Sequence, residues 1–193
     1  MSSIIRADTI QDLSGNNIIN ESGNTITIGA SGDTTNIVGT LQNNGSAVGG
    51  ANTPNFSVYA DDTNISDAST TTIVFPNEDF DSDNAFASNT FTVPSGQGGK
   101  YFLYATCRCM GGNTTGVRDA VLRIRNGSTT ISTSTAGVQS NRQEVIQLTC
   151  SGVFSLSASD TITCDIYIDN VGGSSNYGGG SDRDTAFSGF KLL

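Results

Sequence analysis

The sequence predicts an all-β protein, a thin N-terminal β stalk carrying one C-terminal jelly-roll head. Three observations predict it. The chain of 193 residues holds 23 glycines and only three prolines, and Ser, Thr, Asn, Ile and Val dominate over helix formers. That is the composition of short strands joined by many turns. Apolar and polar residues alternate with a period of two through much of residues 56–193, which marks strands with one buried face. All nine Phe, all five Tyr and all four Cys lie after residue 55. The material for a core is therefore confined to about 140 residues, the size of one ordinary domain.

Residues 1–54 form the stalk and linker. Their aliphatic runs are short: Ile18-Ile19, Ile26-Thr27-Ile28, and Ile37-Val38 with Leu41. Asn and Gly turns separate them at Ser14-Gly15-Asn16-Asn17, Ser22-Gly23-Asn24 and Ser31-Gly32-Asp33. Strands at intervals of about ten residues suit a β stalk. Without aromatics the segment lacks a private core, so its Ile are buried only if other chains supply the opposite face. The bland alternative is a flexible leader. Residues 43–54, rich in Asn and Gly, read as a linker.

The head, residues 55–193, has strand signals at 56–59, 70–75, 90–93, 100–110, 117–125, 129–134, 144–156, 161–168 and 185–193. Ile162, Cys164, Ile166 and Ile168 share one face, and Ile146, Leu148, Cys150, Phe154 and Leu156 another. Eight to ten short strands argue for a β-sandwich or jelly roll. Connections at 95–99, 126–128 and 157–160 are short. Those at 76–89, 111–116, 135–143 and 169–184 are longer and rich in Gly, Asn and Asp. Strands running alternately up and down would gather the long loops at one end, as a tip, and leave the short turns at the end where the stalk enters. Loops on a rigid scaffold are where binding usually resides.

A formal net charge of −9 makes the chain a poor partner for nucleic acid or an anionic membrane. No apolar run is long enough to span a bilayer as a helix. The first residues lack the basic and apolar regions of a signal peptide, so folding in the cytosol of the producing cell is expected. There is no histidine, which removes Ser-His and Cys-His nucleophile pairs and histidine-ligated metals. The sequence implies no cofactor and no enzyme.

Several segments carry suggestive residues. Cys107 and Cys109 share a strand face with Tyr101, Leu103 and Ala105. Buried reduced thiols are the favoured reading; a Cys150–Cys164 disulfide is the alternative. Asp79, Asp81 and Asp83 open like a calcium loop. Asn84 stands where the turn glycine belongs and Thr90 where the closing Glu belongs, so they are weak metal candidates. Ser95–Lys100 looks like a phosphate loop, but Pro94 replaces its first glycine and no helix follows. The segment from Asp169 to Asp184 is the sharpest binding candidate. Its Tyr177 would offer flat contact area and a hydroxyl, joined by Asn176, Asp182 and Arg183, with Asn113, Asn141 and Arg142 on neighbouring loops.

The head resembles the globular domain of the complement first-component (C-one-q) family, related to tumour necrosis factor. The residues that carry this are Phe75-Pro76-Asn77 with Phe80-Asp81, Phe91-Thr92-Val93-Pro94, and Gly99-Lys100-Tyr101-Phe102. The second aromatic of the last group comes one residue early. Leu122 to Gly127 matches the family's Asn-Gly turn, and Leu156 to Asp160 matches its Gly-Asp turn, with Ser159 in place of Gly. The close, Phe187 to Leu193, is the most specific match. The resemblance implies a ten-stranded jelly roll assembling as a homotrimer, in a family where some members bind calcium near the trimer axis. No collagen-like tract precedes it.

The N-terminal part resembles leaders on tail-fibre and virion proteins of marine bacteriophages, through Asp8-Thr9-Ile10-Gln11, Ser14-Gly15-Asn16 and Ile26 to Thr34. The pair implies a short trimeric fibre or spike of a virion. Residues 1–54 would join other virion proteins, and the head would contact a host glycan or protein. A capsid head fibre or decoration protein is the alternative, and a soluble lectin-like protein the third.

Overall fold

A computed structural model describes residues 9–11, 13–15, 17–22, 25–28, 31–39, 41–43, 46–47, 52–111, 116–137 and 143–192. The chain divides into two compact units, Met1–Gly49 and Gly50–Leu193.

The N-terminal unit contains β1 (Thr9–Gln11), β2 (Asn17–Ser22) and β3 (Thr25–Ile28), an antiparallel meander. A second hairpin pairs β4 (Gln42–Asn43) with β5 (Ser46–Ala47). Gly15 and Gly32 hold φ of 82° and 95°. Both lie in the Ser-Gly turns read from the sequence, where a Cβ would strain the chain.

The head is a two-sheet jelly roll. Its strands are β6 (Asn55–Tyr59), β7 (Thr63–Ile65), β8 (Ser69–Thr72), β9 (Asn77–Asp81), β10 (Phe86–Ala87), β11 (Thr90–Thr92), β12 (Gly99–Gly111), β13 (Val117–Asn126), β14 (Thr129–Gly137), β15 (Val145–Leu156), β16 (Thr161–Asn170), β17 (Ser175–Gly178) and β18 (Ala186–Lys191). One sheet centres on β12. It pairs β15 along one edge, and β18 followed by β17 along the other; β6 and β9 extend from β18, and β7 from β17. The other centres on β16, between β13–β14 and the pair β11 and β8, with β10 beyond β11. Among the described residues every pairing in the head is antiparallel.

The inward faces follow the predicted alternation. Ile162, Cys164, Ile166 and Ile168 are buried, as are Tyr101, Leu103, Ala105, Cys107 and Cys109. Phe56 stacks on Phe91 with centroids 4.6 Å apart and meets Phe187 edge-on at 4.9 Å. Gly189 lies under this cluster. A Cβ there would come within 2.6 Å of Leu103 Cδ2 and 2.9 Å of Phe56 Cε1, so only glycine lets β18 approach.

The short turns gather at the end where the chain enters the head. Lys191 N–H donates to Pro54 O, Leu192 N–H to Lys100 O and Gly127 N–H to Thr161 O. Asn126 reaches Asp160 at 2.9 Å. The ends of β12, β13, β15 and β16 that flank 112–115 and 170–174 lie opposite. The 76–89 connection departs from expectation. It holds β9 and β10, and β9 runs back along β6 so that Asp81 faces Phe56. Its Asp and Asn side chains make loop-like sequence look solvent-bound, yet backbone pairing at a free sheet edge captures it.

Candidate functional site

The 169–184 segment folds onto the sheets rather than projecting from them. Asp67 accepts from Asn170 N–H at 2.8 Å and Ser175 Oγ at 2.7 Å. Asn170 donates to Ser174 O and accepts from Gly172 N–H, closing a tight turn. The chain then enters β17, wedged between β12 and β7.

Tyr177 is therefore not a tip residue. It is fully buried, and its hydroxyl accepts from Val74 N–H at 3.2 Å. The expectation that it contacts a ligand is corrected: an aromatic among small residues is here the core plug of a short edge strand. Asn176 is half-buried, with Oδ1 enclosed and lacking a partner among the described residues.

Beyond β17 the chain lies against the β6 edge. Gly179 N–H donates to Asp62 and Gly180 N–H to Ala60 O at 2.7 Å. Asp182 is exposed. Arg183 grips both oxygens of Asp79, at 2.9 and 2.5 Å, with its guanidinium 4.8 Å over the Tyr59 ring. That pairing lowers the Asp79 pKa and raises that of Arg183. Asn176, Asp182 and Arg183 thus do not join Tyr177 in one patch. Asn113, Asn141 and Arg142 lie outside the described residues.

The three aspartates of the calcium-like run do not converge either. Asp79 holds Arg183, Asp81 accepts Phe86 N–H at 2.8 Å, and Asp83 accepts Ser82 Oγ at 2.6 Å. Among the described residues no cluster of three or more metal-ligating Cys, Asp or Glu side chains is formed. Gly99 begins β12 at the foot of the phosphate-loop-like turn, so Lys100 lies in a strand and not at the start of a helix.

Sequence reasoning missed a different surface, the outer face of the β12 sheet. Its residues stand in cross-strand rows. Val153, Phe102, Phe190 and Asn55 form one; Ser151, Tyr104, Ser188, Ser57 and Phe80 form the next. Phe102 and Phe190 lie 5.5 Å apart, while Val153 and Phe80 remain 56% and 51% exposed. A groove of about 470 Å³ runs between Phe80 and Phe190, floored by Phe56, Ser188 and Gly189. Toward the far end the face turns polar. Arg108 pairs with Asp184 at 3.0 Å, and Gln147 bridges Thr106 Oγ1 and Asp184 O. The signal was in β12 itself. Aromatics at 102 and 104 between core residues 101, 103 and 105 mean a strand covered on both faces.

The outer face of the β16 sheet is unlike it. Thr72, Asp165, Arg123 and Thr133 share one row; Thr70, Tyr167, Val121 and Thr135 the next. Buried Asp165 bridges Arg123 at 3.1 Å and Arg125 at 3.2 Å. This face satisfies itself.

The architecture is that of a complement C-one-q and tumour necrosis factor type jelly roll. The globular domain of zebrafish complement 1qA is similar to it, with 16% identity and a TM-score of 0.53, covering 72% of this chain and 98% of that one. Murine APRIL (17%, TM-score 0.48, 72% and 98%) and the Eiger tumour necrosis factor of S. frugiperda (12%, 0.49, 72% and 92%) are also similar. No protein-family model and no curated protein matches the sequence.

Proposed function

We propose that this protein is a non-enzymatic virion structural protein, a short homotrimeric fibre or spike made in the host cytoplasm. Residues 1–54 join it to other virion proteins, and its head meets the host cell surface. The observation that carries this reading is the uncovered aromatic face of the β12 sheet, beside a self-satisfied polar face on the other sheet. A monomer has no use for exposed Tyr104, Val153 and Phe80 beside half-buried Phe102 and Phe190, whereas a closed ring of three heads buries them. The resemblance of residues 8–34 to phage leaders supports the virion setting. Three identical heads then make weak contacts add through avidity, with Asn113, Asn141 and Arg142 as the contact residues.

Sedimentation of the full chain is expected to give three chain masses, and Tyr104→Asp one. A monomeric wild type would overturn the assembly. Labelled antibody should decorate the tail of intact particles, and Asn113→Ala with Arg142→Ala should lower adsorption without changing the mass. Label confined to the shell, with adsorption unchanged, would replace the reading with capsid decoration.

A further inference from the structure

The N-terminal unit holds an amphipathic sheet whose apolar side has no cover among the described residues. Its register places Ile10 opposite Ile19, and Ile19 opposite Ile28. One isoleucine rung thus crosses all three strands, and the next register row, Thr9, Asn20 and Thr27, is polar. The rung recurs at a fixed interval of nine residues, at positions 10, 19, 28 and again at Ile37. The exposures of Ile10, Ile19, Ile26 and Ile28 run from 38% to 68%, and Leu13, Ile37, Val38 and Leu41 are exposed as well. The four on the sheet, Ile10, Ile19, Ile26 and Ile28, together present on the order of 350 Å² of apolar surface, in the range of the patches that on a single chain are often functional. Strands of three to six residues make a single layer near the small end of sheet size, with little apolar area to bury within itself.

We propose that this isoleucine ladder is a homotypic assembly surface, covered by the same ladder of two further copies of this chain, and separate from the interface of the heads. A rung of one residue type at every strand is self-complementary under rotation, because each copy offers what its neighbours need. A different partner would require no such repetition. The occupancy rests on the trimer proposed above, since assembled heads hold three N-terminal units at high effective concentration.

A single thiol tests it in the full chain. The native cysteines are all buried and lie in the head, so cross-links report on the introduced one. Under mild oxidation Ile19→Cys should form disulfide-linked chains about ten-fold faster than Thr27→Cys on the polar row, through proximity alone. A second change, Ile10→Ser with Ile28→Ser, should return the Ile19→Cys rate to that of Thr27→Cys. Equal rates for Ile19→Cys and Thr27→Cys in chains of trimeric mass would overturn the ladder and leave head assembly standing. In a Tyr104→Asp background with monomeric heads, concentration-dependent cross-linking at Ile19→Cys would support the ladder by itself.

Discussion

The two units are built from the same kind of strand and differ in what they do with isoleucine. In the head, Ile73, Ile124, Ile162, Ile166 and Ile168 are wholly buried. In the N-terminal unit, Ile10, Ile19, Ile26, Ile28 and Ile37 all face water. The difference is not propensity, since both alternate and both pair. It is the aromatic stacking of Phe56, Phe91 and Phe187, which lets two sheets close on each other within one chain. A segment without aromatics makes, among its described residues, a sheet without a second layer over it, so its isoleucines find no core within the chain.

The largest expected effect comes from cutting the same residue type in each unit. Ile166→Ala should lower the head's unfolding free energy by about 2–5 kcal/mol, the range for removing a buried aliphatic. Ile26→Ala should shift the same transition by less than about 0.5 kcal/mol. Denaturant melts of the two variants, read by tyrosine fluorescence, check this. Similar losses would mean that the two units share one core.

The second effect is pH dependence, confined to the head because only the head has thiols. Contact with Cys107 and burial raise the Cys109 thiol, burial lifts Cys150 to about 11, and burial raises Cys164 well above the ordinary range. Tyr101 is lifted to about 12 by burial. Each group is kept neutral by folding, while unfolded thiols ionise near about 8.5. The stability they contribute is therefore complete below that pH and falls as pH rises toward the folded values. A loss on the order of 2 kcal/mol is expected by pH 9, seen as a lower urea midpoint. A midpoint flat from pH 7 to 9.5 would mean that the thiols meet water.

The fold was legible because it is written in alternation: the buried faces of β12, β15 and β16 follow directly from residues two apart. The placement of the candidate site residues was not, because edge strands have no such pattern. Ser175 to Gly178 is a strand only because β12 overhangs β18 and leaves backbone donors free at Arg108 to Gly111. Nothing local in Ser-Asn-Tyr-Gly announces that vacancy. The same holds for β9, an acidic stretch recruited by the open edge of β6. Tertiary pairing thus converted the residues that looked most like a mobile ligand loop into core and edge. It left the missed surface, the Phe102–Tyr104 face, on the strand whose inner face follows the alternation.

Backbone strain draws the contrast between the units once more, with the smallest effect. Among the described residues of the N-terminal unit, every positive φ belongs to glycine, at Gly15, Gly32 and Gly39. The head also holds Ala68, Asn84, Ser88, Asn89, Ser159 and Arg183 there. A packed scaffold keeps residues in a left-handed conformation that a thin sheet does not. Ser159, at φ 72°, is the cleanest case, because it stands where the resembling family carries glycine. Its turn is fixed from both sides: Ser159 N–H donates to Val93 O, Asp160 N–H donates to Ser157 O, and Asp160 accepts from Ser157 N–H at 2.9 Å. Ser159→Gly relieves the Cβ strain while keeping those bonds, so a gain of about 1 kcal/mol is expected, against a loss of similar size for an ordinary strand residue changed to glycine. A melting temperature raised by a few degrees would confirm that the head tolerates strain through packing. A lowered one would show that the serine side chain itself holds the turn.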